Sequence, residues 1–204
     1  MSTTRTRLDP ESRREQLLDL GVELLSVRRV EDLSIDALAE VAGISRGLLY
    51  HYFSSKRDFH LAVLRRMADK MFRVTAPAPD LPATDQLVGS LEAYVDFVSA
   101  NREPYLAFVR AAAAGDEEYR QIYDDARAAL TDRIFDHAGG DLLAGLGIDD
   151  SPALRLFVRG WAAMVEDVVL SWLEDARGVE RRQLLDALAG SLASIGALAS
   201  PTDP

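Results

Sequence analysis

A short stretch of the sequence concentrates side chains that bind phosphates and bases. The eleven residues 46–56 contain no carboxylate, and they combine cationic, aromatic and hydroxyl-bearing side chains. Arginine offers a forked donor to guanine or phosphate, whereas tyrosine and histidine donate single hydrogen bonds to phosphate oxygens. The residues of interest are Arg46, Gly47, Tyr50, His51, Tyr52 and Lys56. They predict contact with nucleic acid, and Gly47 would let the backbone approach base edges.

Ordinary core packing is the alternative explanation for the aromatic residues of this stretch. We expect it to apply to Leu49 and Phe53, and we expect Tyr50 and Tyr52 to face outward. Arg5 and Arg7, in the N-terminal arm, could also reach the DNA backbone or minor groove; simple solvation is the alternative for both.

These side chains need two short helices to hold them. Apolar spacing predicts a helix over 35–42 and another over 46–52, with Ser34 and Ser45 as N-caps. Gly43 between them can adopt the positive φ that a sharp turn requires. Residues 34–53 therefore have the layout of a helix-turn-helix, whose second helix enters the major groove of DNA.

The rest of the chain also predicts helices and no strands. Long tracts without proline show apolar residues at helical spacing, and the three prolines of segment 76–82 divide the chain. We expect an all-α protein of nine helices at about 10–27, 35–42, 46–52, 55–74, 84–101, 104–114, 116–138, 152–177 and 180–199.

Composition excludes several classes of function. The 204 residues include no cysteine, which excludes a disulfide framework and a thiolate metal site, and we expect no cofactor. The sequence shows no serine-nucleophile or phosphate-loop motif, and adjacent aspartates such as Asp124 and Asp125 point apart on a helix. No uncharged stretch reaches the roughly 20 apolar residues of a membrane span, and we expect no signal peptide, because no apolar run follows the first charged residues. We expect a soluble, cytoplasmic protein that is not an enzyme.

The net charge of −10 argues against a protein that coats nucleic acid. The acidity is uneven, however. Residues 1–75 hold 13 basic and 11 acidic side chains, whereas residues 76–204 hold 10 and 22. We therefore expect weak binding to bulk DNA and a few placed contacts on the N-terminal part.

The N-terminal part resembles the TetR family of bacterial transcriptional regulators. The resemblance rests on Leu33-Ser34, the segment AEVAGIS at 39–45, LYHYF at 49–53 and SKRDF at 55–59. It implies a DNA-binding domain at 10–70 and a ligand-binding and dimerisation domain at 76–200. It also implies that Ser34 and Lys56 bind phosphate, that Ser45, Arg46, Gly47 and Tyr50 face bases or flanking phosphates, and that His51 and Tyr52 contact phosphate.

A protein of this type binds DNA as a two-fold dimer, so the chain should carry a surface for self-association. Apolar stripes on the last two helices predict such a seam, because two helices from each subunit can form a four-helix bundle. The residues are Phe157, Val165, Val168, Leu185, Leu188, Leu192 and Ile195. The alternative is that these stripes form the core of a single chain.

Large amphipathic residues in the second domain could line the ligand chamber that the resemblance implies. They are Tyr94, Phe97, Tyr105, Phe108, Tyr123, Trp161 and Met164, together with Arg110. Arg110, Glu166 and Asp167 interrupt apolar helices, and they could pair within the protein or contact a ligand.

The resemblance therefore leads us to expect a dimeric repressor on near-palindromic double-stranded operator DNA. A small apolar or amphipathic effector would release it, and no membrane would be involved. The alternatives are a helical adaptor that binds only protein and, less favoured, an enzyme.

Overall fold

The computed structural model describes residues 9–136 and 143–199, and this part of the chain is helical without strands. A 3-10 helix spans Val30–Asp32, and residues 143–145 form a helical turn. The α-helices are α1 (Pro10–Leu24), α2 (Ile35–Ala42), α3 (Arg46–Tyr52), α4 (Lys56–Val74), α5 (Ala83–Ala100), α6 (Arg102–Ala113), α7 (Glu117–Asp132), α8 (Pro152–Glu174) and α9 (Arg181–Ala199). The expectation of an all-α fold is confirmed.

Three helices, α1, α7 and α8, end three or more residues earlier than their apolar spacing predicts. α8 stops at Glu174 because Asp175 is extended, with φ −149° and ψ 105°. Trp172 then fixes the following turn, since its indole N–H donates to the Val179 carbonyl at 2.8 Å. α7 ends at Asp132, after Thr131 has turned its hydroxyl back onto carbonyls of the preceding turn.

Capping residues set the starts of helices. Asp9 accepts hydrogen bonds from the backbone N–H groups of Glu11 and Ser12, at 3.0 and 2.9 Å, and Pro10 occupies the first position of α1. Ser151 caps α8 in the same way, with Pro152 after it. These side chains satisfy backbone donors that a helix leaves unpaired at its N-terminus.

Close packing divides the chain into two compact units. Unit 1 comprises residues up to 69 together with 101–123, and unit 2 comprises 70–100 together with the residues from 124 onward. The units are not consecutive in sequence, because α6 and the first part of α7 group with the N-terminal helices. The two consecutive domains predicted from the sequence, at 10–70 and 76–200, therefore stay a prediction, because they do not coincide with these two units.

The core of unit 1 lies beneath the predicted helix-turn-helix. α1 packs against α2, and α6 contacts α1 and the 3-10 helix. At Gly21 in α1 an added Cβ would lie 2.5 Å from Cγ2 of Val63 on α4. Side chains with almost no exposed surface fill this core: Leu17, Leu33, Leu38, Leu49, Phe53, Phe59, Leu64 and Phe108.

Unit 2 is built around the last helix. α9 packs against both α8 and α5, and their facing apolar side chains are buried, including Val95, Val98, Leu154, Val158, Leu188 and Leu192. None of the helices in the described ranges has the length and apolar character needed to cross a bilayer.

The close contact at Gly21 predicts a stability effect specific to that position. We expect Gly21→Val to lower the free energy of unfolding by about 1–3 kcal/mol, because the added methyl groups overpack the core. Gly89→Val is the matched control, since Gly89 also lies inside a helix but an added Cβ there meets nothing within 4 Å. Urea unfolding would measure both. Equal effects of the two substitutions would contradict the packing account.

Candidate nucleic-acid interface

The turn between α2 and α3 has the geometry of a helix-turn-helix. Gly43 adopts φ 64° and ψ 36°, in the left-handed region that glycine occupies without strain. The chain then reverses through hydrogen bonds from the N–H of Gly43 to the Glu40 carbonyl, and from that of Ile44 to the Ala39 carbonyl, at 3.3 and 3.1 Å. This closure satisfies the last carbonyls of α2 and sets the direction of α3.

Both serines that the sequence assigns to DNA contact are helix N-caps. The Ser34 hydroxyl accepts from the Ala37 N–H at 3.0 Å, and the Ser45 hydroxyl accepts from the Leu48 N–H at 3.3 Å. Ser45 is exposed and Ser34 is half-buried. Each hydroxyl keeps its own hydrogen as a donor, so capping and a phosphate contact are compatible.

α3 has one face in the core and one face in solvent. Leu49 and Phe53 are fully buried, as expected from the sequence. Tyr50 is 56% exposed, so core packing does not explain its presence on this face. Tyr52 is half-buried, whereas the remaining candidates, Arg46, Gly47 and His51, are exposed.

Two cations next to this face have partners that the sequence did not reveal. Arg46 forms an ion pair with Asp36, which comes from the first turn of α2. The Lys56 ammonium donates to the backbone carbonyl of Glu31 at 2.7 Å. Both side chains remain exposed.

A buried histidine connects the start of the helix-turn-helix to two other elements. His60 on α4 lies 2.8 Å, through Nε2, from the carbonyl of Leu33, which directly precedes the cap of α2. Because a carbonyl only accepts, Nε2 carries the hydrogen, and Nδ1 accepts from the hydroxyl of Tyr119 on α7 at 2.9 Å. His60 is thus a buried histidine whose two ring nitrogens are both hydrogen-bonded.

Burial lowers the pKa of His60 below its usual value of 6.5. The nearby charges of Lys56 and Arg57 lower the pKa further, whereas the Leu33 carbonyl and Glu31 oppose the shift. The imidazole is therefore neutral at pH 7, which matches its role as one donor and one acceptor.

Arg57 ties the first turn of α4 to the start of α7. Its guanidinium donates to both oxygens of Asp116 at 2.8 and 3.0 Å and to Glu118 at 2.7 Å, and it lies over the Tyr119 ring. The Asp116 and Glu118 carboxylates raise the pKa of Arg57, and the guanidinium lowers the pKa of Asp116. The acidic start of α7 therefore serves a second purpose besides stabilising its helix terminus.

Comparison with known proteins identifies the family. Residues 17–63 match the family model described as bacterial regulatory proteins, tetR family. Residues 83–194, more than half of the chain, match the model described as Tetracyclin repressor-like, C-terminal domain. The chain belongs to the TetR family.

Individual relatives support the assignment along most of the chain. An uncharacterized HTH-type transcriptional regulator of Mycobacterium tuberculosis is 31% identical over 86% of this chain and 74% of its own length. The HTH-type transcriptional activator FasR of Mycolicibacterium smegmatis is 28% identical over 86% of this chain and 78% of its own. The crystal structure of a tetR-family transcriptional regulator from Streptomyces coelicolor is 31% identical, with a TM-score of 0.73, and covers 94% of this chain and 83% of that one. This TetR-family protein is thus a DNA-binding transcriptional regulator and not an enzyme.

The structure divides the eight predicted ligand-binding residues equally between the two units. In unit 1, Tyr105 and Phe108 are buried, Tyr123 packs edge-on against Phe108 with ring centroids 5.6 Å apart, and Arg110 is exposed. In unit 2, Phe97 and Trp161 are buried, Tyr94 is half-buried and Met164 is 39% exposed.

The ligand-binding residues stay a prediction, and their positions bear on it in three ways. Neither unit by itself collects the eight residues into one site. Arg110 and Asp167 are exposed to solvent, so burial does not force either charge to find a partner or a ligand. Glu166 is half-buried. A small cleft of about 80 Å³ in unit 2 contains none of the eight, and it is smaller than the sites of most small-molecule ligands. It is lined by Asp124, Arg127, Ala128, Thr131, Arg159 and Ala162.

The residues of the predicted dimer seam differ in burial within the single chain. Val165, Leu185, Leu188 and Leu192 are buried within the single chain, because α8, α9 and α5 cover one another. The intrachain alternative therefore holds for these four residues. Val168 and Ile195 are half-buried, and Phe157 is 55% exposed. Arg5 and Arg7 lie outside the described residues.

The fold does not require a glycine at position 47, whereas we expect close approach to DNA to require one. A Cβ added to Gly47 meets nothing within 4 Å, so the protein itself does not need glycine inside α3. We expect Gly47→Ala to raise the free energy of unfolding by about 0.5–1 kcal/mol and to weaken DNA binding about tenfold or more, because the methyl group obstructs close approach. Gly89→Ala, also in open space on a helix, should give the same stability gain with unchanged DNA binding. Undiminished DNA affinity in Gly47→Ala would remove Gly47 from the interface.

The lowered pKa of His60 predicts a loss of stability on acidification. The unfolded chain protonates this imidazole near pH 6.5, whereas the folded protein does so only at lower pH. The unfolded state therefore binds more protons as the pH falls below about 6.5, and the free energy of unfolding should decrease between pH 7.5 and 5.5. Denaturant titrations of the wild type and of His60→Gln would test this. An identical pH dependence in the two proteins would contradict the role assigned to His60.

Proposed function

We propose that this regulator is a dimeric repressor that binds a near-palindromic operator through the solvent-facing side of α3. The observation that carries the proposal is the exposed group of Gly47, Tyr50 and His51, set on a helix whose opposite side is buried through Leu49 and Phe53. A helix fixed by its core and open on its polar side suits insertion into a major groove. The proposed contacts are Ser34, Ser45, Arg46, Gly47, Tyr50, His51, Tyr52 and Lys56.

The proposed dimer uses the outward faces of α8 and α9. Leu156, Phe157 and Leu198 are 69%, 55% and 85% exposed, which is unusual for large apolar side chains in two adjacent helices. The exposed Gly160 and Gly190 lie in the same helices, and an added Cβ meets nothing at either. Close approach of a second copy would cover the apolar surface, and the missing side chains of both glycines would leave room for it. A two-fold dimer would place two copies of α3 on two half-sites.

The proposed regulation is release by a small apolar or amphipathic effector. Such a molecule can weaken operator binding only if it favours a conformation in which the two α3 helices do not fit the half-sites. α4 and α7 both run from unit 1 into unit 2, so a change in unit 2 has covalent routes to the DNA-binding residues. The effector would act in the cytoplasm, where the operator lies.

Activation is the second candidate function, because FasR, which is similar over 86% of this chain, is named an activator. Repression is favoured by the family description of residues 83–194 as Tetracyclin repressor-like. A reporter gene downstream of the operator that this protein binds distinguishes the two functions. A repressor lowers expression of the reporter, and an activator raises it.

Selection of fragments of the source genome with the purified protein tests the DNA function. We expect enrichment of a near-palindromic site, and we expect Tyr50→Ala and Lys56→Ala each to weaken binding to it by about tenfold in gel-shift titrations. Lys70→Ala is the matched control, because Lys70 is an exposed lysine at the other end of α4. Failure to enrich any DNA would favour the adaptor that binds only protein.

The dimer surface is tested by placing a charge on it. We expect Phe157→Glu to raise the dissociation constant of the dimer by at least about 100-fold, since each two-fold interface contains the substitution twice. Leu81→Glu is the control, because Leu81 is 47% exposed and lies outside α8 and α9. Sedimentation velocity over a concentration series would give both constants. An intact dimer in Phe157→Glu would place the interface elsewhere.

A further inference from the structure

The ion pair between Arg46 and Asp36 lies at the edge of the surface proposed to meet DNA. Arg46 is the first residue of α3, and Asp36 lies in the first turn of α2. Their side chains are 69% and 54% exposed, so the pair is open to a ligand on the outside. The carboxylate is unexpected here, because it would repel the phosphates that the neighbouring residues are arranged to bind.

The atoms that form the pair leave a specific set of donors available. The contact joins Nε of Arg46 to Oδ1 of Asp36. Among the described residues, Arg46 has no ion pair with a residue other than Asp36, and its two terminal nitrogens donate no hydrogen bond. Those two nitrogens carry the parallel donors of the guanidinium fork.

Guanine is the base that such a fork fits. In the major groove it presents two acceptors, O6 and N7, which arginine binds with two hydrogen bonds. An unpaired arginine can turn instead to a phosphate, which gives affinity without sequence information. Asp36 opposes that alternative in two ways, because it holds one side of the guanidinium and makes the pair electrically neutral.

We propose that Asp36 is a positioning residue that restricts Arg46 to a guanine in each half-site of the operator. This inference rests on the proposed DNA-binding function and adds to it a residue that determines specificity. Asp36 acts through Arg46. Removing the carboxylate therefore frees the guanidinium for phosphate, raises binding to unrelated DNA and relaxes the preference at one base pair.

A simpler role for Asp36 makes a different prediction. A carboxylate in the first turn of α2 stabilises the helix by its interaction with the N-terminal dipole. In that role Asp36→Asn lowers protein stability slightly and leaves base preference unchanged. Thermal unfolding of each variant separates this effect from binding, and Asp36→Glu, which keeps the carboxylate, should restore the base preference.

The experiment is selection from a random DNA pool, followed by titration of a selected duplex and a scrambled duplex. Wild type should select a G·C pair at a half-site position that Arg46→Gln no longer distinguishes. Asp36→Asn should reduce the preference for that base pair about tenfold and bind the scrambled duplex more tightly. For Asp36→Asn on scrambled DNA, the slope of log affinity against log salt concentration should steepen by about 0.9 per subunit, because Arg46 now contacts a phosphate.

Two controls make the result specific. Glu40→Gln removes one negative charge from the exposed side of the same helix and should leave base preference unchanged. In the Arg46→Gln background, Asp36→Asn should not alter base preference further.

The possible failures are distinguishable. If wild type selects no sequence, the proposed DNA function itself fails. If wild type selects a site but Asp36→Asn keeps the full preference, or Glu40→Gln loses it equally, only the role of Asp36 is overturned. Selection of a base pair other than G·C at the Arg46-dependent position overturns the assignment to guanine.

Discussion

The two hydrogen bonds of the buried His60 imidazole are the constraint on which the DNA-binding surface depends. One bond fixes the Leu33 carbonyl, which directly precedes the N-cap of α2, and the other engages Tyr119 on α7. A neutral imidazole has one donor and one acceptor, so both bonds are made only in this tautomer. α2 is thus anchored at its start by His60 and at its end by the Gly43 turn, and the direction of α3 follows from both.

Charge pairing within the chain bears on how an acidic protein would present the proposed DNA-binding surface. The three cations of segment 41–57 all have partners within the chain. Arg46 pairs with Asp36, Lys56 donates to the Glu31 carbonyl, and Arg57 is held by Asp116 and Glu118. Arg57 therefore stabilises the protein rather than adding to a basic patch. With so little uncommitted positive charge, binding must come from directed contacts and shape, which favours a specific site over bulk DNA.

Local features of the sequence were enough to predict the helices and the helix-turn-helix. The α2 and α3 bounds follow from apolar spacing, from Ser34 and Ser45 as caps, and from Gly43 as the turn. Contacts between residues distant in sequence could not be predicted in this way. Spacing gives no information on the pairing of Arg57 with Asp116, 59 positions away, or on the grouping of α6 with the N-terminal helices.

The same limit explains why spacing alone could not separate core residues from dimer residues in unit 2. A stripe of leucines on α9 has the spacing of a dimer seam and equally that of a core helix. Only the packing of α5 and α8 against it shows that Leu188 and Leu192 are covered within the chain. The exposed apolar residues, such as Phe157, then mark a different face of the same helices.

In the proposed function, a few placed contacts on each subunit bind the operator. The salt dependence of operator affinity tests it most directly, because the slope of log affinity against log salt counts the phosphates that the protein neutralises. A few neutralised phosphates per subunit, at most about five, predict a measurable slope that is no steeper than about −9 for the dimer. A slope near −20 would indicate a broad basic surface, and a slope near zero would indicate that phosphates are not contacted. Either result would contradict the account.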